Sequence, residues 1–265
     1  MRIFFFIILF FLSTGTDAFA QTDSLFEKEI DVASYKFVLT ANDNRFFTGS
    51  LEIFDKYNNS VFYNDSFYTR YNWDSLIDLN DDGSKELMLD LGSGATMYDY
   101  NMFLIFDFTL KKIKPLEIHN AEIVQTKDEV PKILSYVRLS PAVMGAGYAF
   151  TMRYENGMLI LEKDMSKSKA LKELDTDGSD DLHLINEFEG RFDECADNSG
   201  IDTYYEAFLI QQKILGHEKK GWKFFDKNYK CSDKKSVRAN LKRIVDEAYS
   251  YISNPDNYKF NYNNY

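Results

Sequence analysis

The residues best suited to chemistry lie in the stretch 78–87, Asp-Leu-Asn-Asp-Asp-Gly-Ser-Lys-Glu-Leu. Counting Asp78 as position 1, oxygen-bearing side chains fall at positions 1, 3, 5 and 9, which are Asp78, Asn80, Asp82 and Glu86. Gly83 at position 6 permits the sharp turn that folds such a loop around one hard cation. Three candidate-ligand carboxylates, Asp78, Asp82 and Glu86, crowded into nine residues also repel one another unless a cation or solvent offsets their charge. The pattern therefore predicts a Ca²⁺ site.

The loop is not an EF-hand, because that motif needs a bidentate Glu at position 12 and Leu89 stands there. The apolar pair 76–77 precedes the loop, and residues 86–91 alternate like a strand. We therefore expect the loop to join two strands. The alternative is a solvated acidic hairpin turn with Gly83 at positive φ.

These residues resemble the calcium loop of FG-GAP or VCBS-type repeats, found in integrin α-chains and many bacterial secreted proteins, which reads D-x-[ND]-x-D-G-x-x-[DE]-L between strands. The resemblance covers about a dozen residues, and the Phe-Gly-Gly-Ala-Pro phrase of the family is absent. It implies a partial, propeller-like sheet at most. It also implies a ligand set, made of the side chains of Asp78, Asn80, Asp82 and Glu86 and the carbonyl of Ser84.

A weaker copy of the pattern follows 95 residues later, at 173–182. Residues 166–172, which precede it, are polar and helix-prone, so a turn that caps a helix beginning at Asp180 is an equally open alternative to a second metal site. The candidate ligands of this second site are Glu173, Asp175, Asp177, Ser179 and Asp181.

The N-terminus has the features of a secretory signal peptide. Arg2 precedes an apolar run at 3–12, and Ala18-Phe19-Ala20 suits cleavage before Gln21. A membrane anchor, the alternative, needs roughly 20 apolar residues, about twice this run. We expect residues 1–20 to be removed and the mature chain to be secreted or periplasmic.

In an oxidising compartment, the two cysteines of the chain, Cys195 and Cys231, predict one disulfide. The three histidines are His119, His183 and His217, and none lies at the i, i+4 spacing of a helical zinc site. Zinc is therefore not expected.

Residues 21–165 predict an antiparallel β-rich domain, a meander or sandwich. Strands are indicated at 35–40, 46–54, 60–67 and 102–106, the last an apolar run typical of a strand buried on both faces. The clearest hairpin has alternating aromatic residues at 148–154, the turn pair Asn156-Gly157 and a return strand at 158–161.

Residues 166–253 predict a helical portion. A helix is indicated at 203–215, capped by Asp202 and ended by Gly216. A second helix carries one apolar stripe, and Pro255 lies just beyond it. This stripe could receive a partner or a membrane, although such stripes more often pack on their own domain. We expect the tail, residues 254–265, to fray. The stripe consists of Val237, Leu241, Ile244, Val245, Ala248 and Ile252.

The composition is that of a globular α+β protein, with 265 residues, 45% hydrophobic and 28% charged. The net charge of −11 repels phosphate backbones, so nucleic acid is a poor partner. No nucleophile elbow or zinc-protease motif is visible in the sequence. We expect a secreted, calcium-binding, β-rich binding or structural module with a protein or glycan partner and no membrane span. The alternative is a secreted glycan-directed hydrolase that uses a carboxylate pair.

Overall fold

The computed structural model of the chain describes most of the β-rich part and the C-terminal helices. The described residues are 26–43, 48–68, 70–93, 100–110, 112–125, 130–139, 146–163, 178, 195 and 201–258. The expected signal peptide and nearly all of the second acidic stretch lie outside these residues.

Twelve strands in the described part form three antiparallel four-stranded sheets, ordered β1-β2-β3-β4, β5-β6-β7-β8 and β12-β11-β10-β9. In the described part of the chain these sheets do not close into a propeller and three helices follow them, so the predicted α+β fold is confirmed. The strands are β1 Phe26–Val32, β2 Tyr35–Asp43, β3 Thr48–Asp55, β4 Ser60–Tyr68, β5 Arg70–Ile77, β6 Glu86–Ser93, β7 Tyr100–Phe106, β8 Leu116–His119, β9 Ala121–Val124, β10 Lys132–Arg138, β11 Gly147–Glu155 and β12 Met158–Leu161.

The middle sheet, β5 to β8, has a hydrophobic core on each face. Because side chains alternate along a strand, Leu87 and Leu89 of β6 join the core shared with Phe37 of the first sheet. Met88, between them, joins the core shared with Phe150 of the third sheet and with the helices. Strand β7 divides in the same way, which confirms the prediction that the run 102–106 is buried on both faces.

The turn between β11 and β12 is formed by two residues that accept positive φ. Asn156 and Gly157 have φ of 51° and 78°, the positive values that a type I′ turn requires, and they join β11 to β12 as predicted. Strand β1 was not predicted, because four of its seven residues are charged. It nevertheless pairs with β2 along its whole length. The hydrogen bonds of this pairing stabilise β1, and the sequence pattern does not predict them.

The helices among the residues that the structure describes are α1 Ile201–Ile214, α2 Glu218–Asn228 and α3 Lys234–Ser253. The predicted cap at Asp202 is wrong, because the helix is already formed at Ile201 and Asp202 lies in its first turn. Gly216, at φ 75°, follows the helix as expected. The striped helix is α3, and its stripe packs on the rest of the protein through Leu241, Val245 and Ile252.

The expectation that the tail frays from residue 254 is wrong for Pro255–Tyr258, which form a short 3-10 helix. Tyr258 is buried, and its hydroxyl donates a hydrogen bond of 2.7 Å to the carbonyl of Ile252. The aromatic ring therefore anchors the segment to the end of α3, and residues 259–265 lie outside the described part.

None of the described helices combines the length and the apolar character needed to cross a bilayer. The longest of them, α3, is charged along its exposed side.

The predicted disulfide is confirmed. Cys195 and Cys231 are bonded, with their Cα atoms 5.4 Å apart and a separation of 36 positions in the sequence. The bond ties the segment before α1 to the turn between α2 and α3.

Removing this bond is expected to destabilise the protein by about 3 to 4 kcal/mol, because a closed loop of this length restricts the unfolded chain. Urea unfolding of the Cys195→Ser/Cys231→Ser variant should show the loss, and reductant should then have no further effect on that variant. An unchanged unfolding midpoint in the double variant would contradict the prediction.

Candidate metal loop and the carboxylates beneath it

The loop that carries the candidate ligands joins β5 to β6, as predicted. Ile77 and Glu86, which flank it, are register partners in the antiparallel pair. The backbone turns at Asp81, φ 59°, and at Gly83, φ 86°, both in the left-handed region. Gly83 has open space around its Cα, so its conformation, not crowding, accounts for glycine here.

The first two candidate ligands turn their side-chain oxygens toward the loop backbone. The Asp78 carboxylate accepts hydrogen bonds from the N–H groups of Asp82 at 3.2 Å and Gly83 at 2.9 Å. The Asn80 side-chain oxygen accepts from the same N–H of Asp82 at 3.2 Å. These two side chains therefore converge on one peptide group.

The third candidate ligand, Asp82, is held in its ionised form. Its Oδ1 accepts a 2.7 Å hydrogen bond from the N–H of Ser84, and its Oδ2 accepts one of 2.9 Å from the Asn80 amide. These bonds, the first above all, lower the pKa of Asp82 below its usual range. The side chain keeps its negative charge although Asp78 lies close by in the loop.

Glu86 connects the end of the loop to the protein interior. The residue is 1% exposed, and its Oε2 accepts a hydrogen bond of 2.9 Å from the N–H of Leu79, which is itself fully buried. Burial raises the pKa of Glu86, and the negative charge of Asp107 raises it further. The ninth position of the motif thus holds a carboxylate that is costly to ionise without a compensating charge.

The donor set fits a hard cation, because the side chains at the motif positions offer oxygen and no sulfur or imidazole. In this structure the loop is closed by its own hydrogen bonds. Within the described ranges, no three Asp, Glu, His or Cys side chains are grouped closely enough to hold a metal ion. Asn80 and the carbonyl of Ser84 are the remaining oxygen donors of the predicted set. The prediction that all five residues bind one ion stays a prediction.

The second acidic stretch is described at Gly178 alone, and its five candidate ligands lie outside the described residues. Gly178 is buried at φ 77°, and its carbonyl accepts a hydrogen bond from the Tyr204 hydroxyl of α1. A Cβ atom at this position would lie 2.6 Å from the Phe208 ring. The glycine of the second stretch therefore has a packing role against α1.

A second buried carboxylate, Asp107, was missed from the sequence. It follows β7 directly, is 6% exposed, and accepts hydrogen bonds from the N–H and hydroxyl of Thr109 at 2.7 and 2.6 Å. The hydroxyl of Tyr154, from β11, also donates to it. Burial, together with this bond to Asp107, raises the pKa of Tyr154 far above its usual value. The Asp-x-Thr turn can be recognised from the sequence, whereas the contact of Asp107 with Tyr154, 47 positions away, cannot.

Comparison of the chain with protein-family models, curated proteins and solved structures finds no match.

Replacing Tyr154 with Phe is expected to cost about 1.5 to 3 kcal/mol, because it removes a hydrogen bond to a buried, charged acceptor. Urea unfolding measures the loss. Tyr63→Phe is the matched control, since that side chain is 53% exposed on β4 and its loss should be near zero. Equal stability of the Tyr154→Phe variant and the unmutated protein would contradict a role for this bond.

Gly178→Ala should cost about 2 to 4 kcal/mol, the sum of a left-handed conformation and an overpacked contact with Phe208. Gly83→Ala is the control, because it shares the positive φ but has no atom within 4 Å of the new Cβ. Thermal unfolding in chelator should therefore show the smaller loss for Gly83→Ala. Equal losses would show that crowding at Gly178 is unimportant.

Proposed function

We propose that residues 78–86 bind one Ca²⁺ ion and that the protein is a calcium-stabilised, β-rich binding or structural module. The observation that carries the proposal is the strand-to-strand loop itself. In it, Asp78, Asn80 and Asp82 direct oxygens at one turn of backbone, and the following Glu86 is fixed in the core. The local resemblance to FG-GAP or VCBS-type calcium loops supports the same conclusion.

Electrostatics gives the physical reason. Glu86 is buried and its pKa is raised, whereas hydrogen bonds lower the pKa of Asp82. The two charges, together with Asp78, repel one another in the ionised state, and a divalent ion offsets that repulsion directly. The side chains of Asp78, Asn80, Asp82 and Glu86 and the carbonyl of Ser84 would hold the ion.

The consequence for the fold follows from the position of the loop. It opens β6, the strand whose two faces belong to the two hydrophobic cores. An ion held between residues 78 and 86 would fix the register of β6 against β5 at its first pair, Ile77 with Glu86. Calcium would thus stabilise both cores through one strand.

The proposal includes export of the chain by its N-terminal segment, residues 1–20, to a secreted or periplasmic location. The disulfide between Cys195 and Cys231 supports an oxidising compartment, where such bonds persist. Calcium loops outside the cytoplasm often bind with Kd of about 10⁻⁴ to 10⁻³ M, so millimolar calcium would occupy the site.

A glycan hydrolase is less well supported. Carboxylate catalysis needs two acids that reach substrate in a cleft, but Glu86 and Asp107 are 1% and 6% exposed. A cavity formed by the described helices has a mainly basic lining. The described residues therefore favour the module.

The test is thermal unfolding with calcium and then with chelator. At calcium ten times Kd, binding to the folded state should stabilise it by about 1.4 kcal/mol, which raises Tm by about 3 to 6 °C. Asp82→Ala should erase the difference between the two conditions.

Asp81→Asn is the matched control, since Asp81 has no ligand position and Asn also accepts its left-handed conformation. This variant should keep the calcium-dependent shift. A melting curve that is the same in millimolar calcium and in chelator would contradict calcium binding and show that the loop is an acidic turn.

A further inference from the structure

The charge of the chain is sharply divided. Residues 217–243, which include α2 and the first half of α3, carry ten Lys or Arg against three acids, a net +7. The remaining residues carry 21 basic and 39 acidic side chains, a net −18. A protein with pI near 4.8 therefore has one strongly basic helical face.

This basic segment forms a groove between α2 and α3 with a volume of about 460 Å³, within the range of ligand sites. We call it the basic groove. Its lining includes the half-buried Trp222 and the exposed Ala239. Its cationic lining consists of Lys219, Lys235, Arg238 and Lys242.

Three of these cations are available to a ligand. Lys219, Lys235 and Lys242 are exposed, and none of them makes a salt bridge within the described part of the chain. The one acid of the lining, Glu218, lies 3.9 Å from Lys213 and accepts a hydrogen bond from the Trp222 indole. The groove thus presents uncompensated positive charge.

Arg238 is held in a fixed orientation. Its guanidinium lies 4.4 Å from the centre of the Trp222 ring, and the Asp226 carboxylate is 3.6 Å away. The side chain remains 42% exposed, so its planar fork can still meet a ligand. A stacked guanidinium suits bidentate recognition of a carboxylate better than a mobile ammonium group.

The charge pattern also limits the size of the ligand. Lys235, Arg238 and Lys242 lie at i, i+3 and i+7 of α3, which spans about 10 Å, or about three residues of an extended peptide. A long polyanion would extend past these three cations, beyond the span of the basic groove. At physiological salt, charges interact over about 8 Å, so a short ligand senses the groove alone.

We propose that the basic groove binds a short acidic peptide segment of a partner protein, its carboxylates paired with the cations of α3 and its apolar atoms lying on Trp222. This inference goes beyond the calcium loop and does not depend on it. It names the partner class of the module and places the contact on the helices.

The test measures binding of fluorescein-labelled hexaglutamate to the purified full chain by fluorescence anisotropy, with hexaglutamine as the uncharged comparison. Hexaglutamate should bind, more weakly as salt rises, and hexaglutamine should not. In a Trp73→Phe background Trp222 is the sole indole, so its emission should change when hexaglutamate binds.

Lys235→Gln/Lys242→Gln should weaken binding about tenfold, and Arg238→Lys should weaken it several-fold although the charge is kept. Lys112→Gln/Lys114→Gln is the charge-matched control outside the groove, and it should bind like the unmutated chain. Chelator should leave binding unchanged, which separates this result from the outcome for the calcium loop.

Equal weakening by the Lys112/Lys114 control would overturn the proposal, since binding would then follow net charge alone. The chain could instead bind heparin or phosphatidylserine vesicles more tightly than hexaglutamate, and the Lys235/Lys242 variant could lose that binding. This result would also overturn the proposal, in favour of a glycan or a lipid surface. Unchanged Trp222 emission would place the peptide elsewhere.

Discussion

Burial of β6 and β7 on both faces is the constraint on which the rest of the structure depends. Apolar residues such as Leu89 and Met88 alternate between two cores, so each face must be covered by another layer. The first sheet covers one face, and the third sheet with the helices covers the other. If β6 shifted its register against the neighbouring strands, the side chains that face both cores would be displaced at the same time.

Carboxylates stand where these buried strands begin and end. Glu86 is the first residue of β6 and Asp107 follows β7, and both are buried, where an unpaired charge is costly. Each is hydrogen-bonded to backbone, and Asp107 also binds Tyr154 from the adjoining sheet. Hydrogen bonds therefore offset the cost of burying these charges, within the loop at Glu86 and between two sheets at Asp107, and the proposed calcium ion would add to this compensation at Glu86.

The two proposed sites divide the molecule by charge. The loop at 78–86 collects carboxylates in the β-rich part, whereas the basic groove collects cations on α2 and α3. A ligand drawn to one is repelled by the other over short distances. The disulfide at Cys231 lies in the turn that joins the two helices of the groove, so it holds the basic face in place while leaving its lysines exposed.

The sequence by itself determined what depends on neighbours along the chain. The hairpin at Asn156-Gly157, the stripe of α3, the apolar strand at 102–106 and the turn at 78–86 all follow from local spacing, and two cysteines can pair in one way only. Tertiary structure decided the rest. Helix α2 has many charged residues, and its position depends on the packing of residues such as Phe225 in the core. Tyr154 reaches Asp107 only because two sheets stack. Those contacts join residues far apart in the chain, and no local period encodes them.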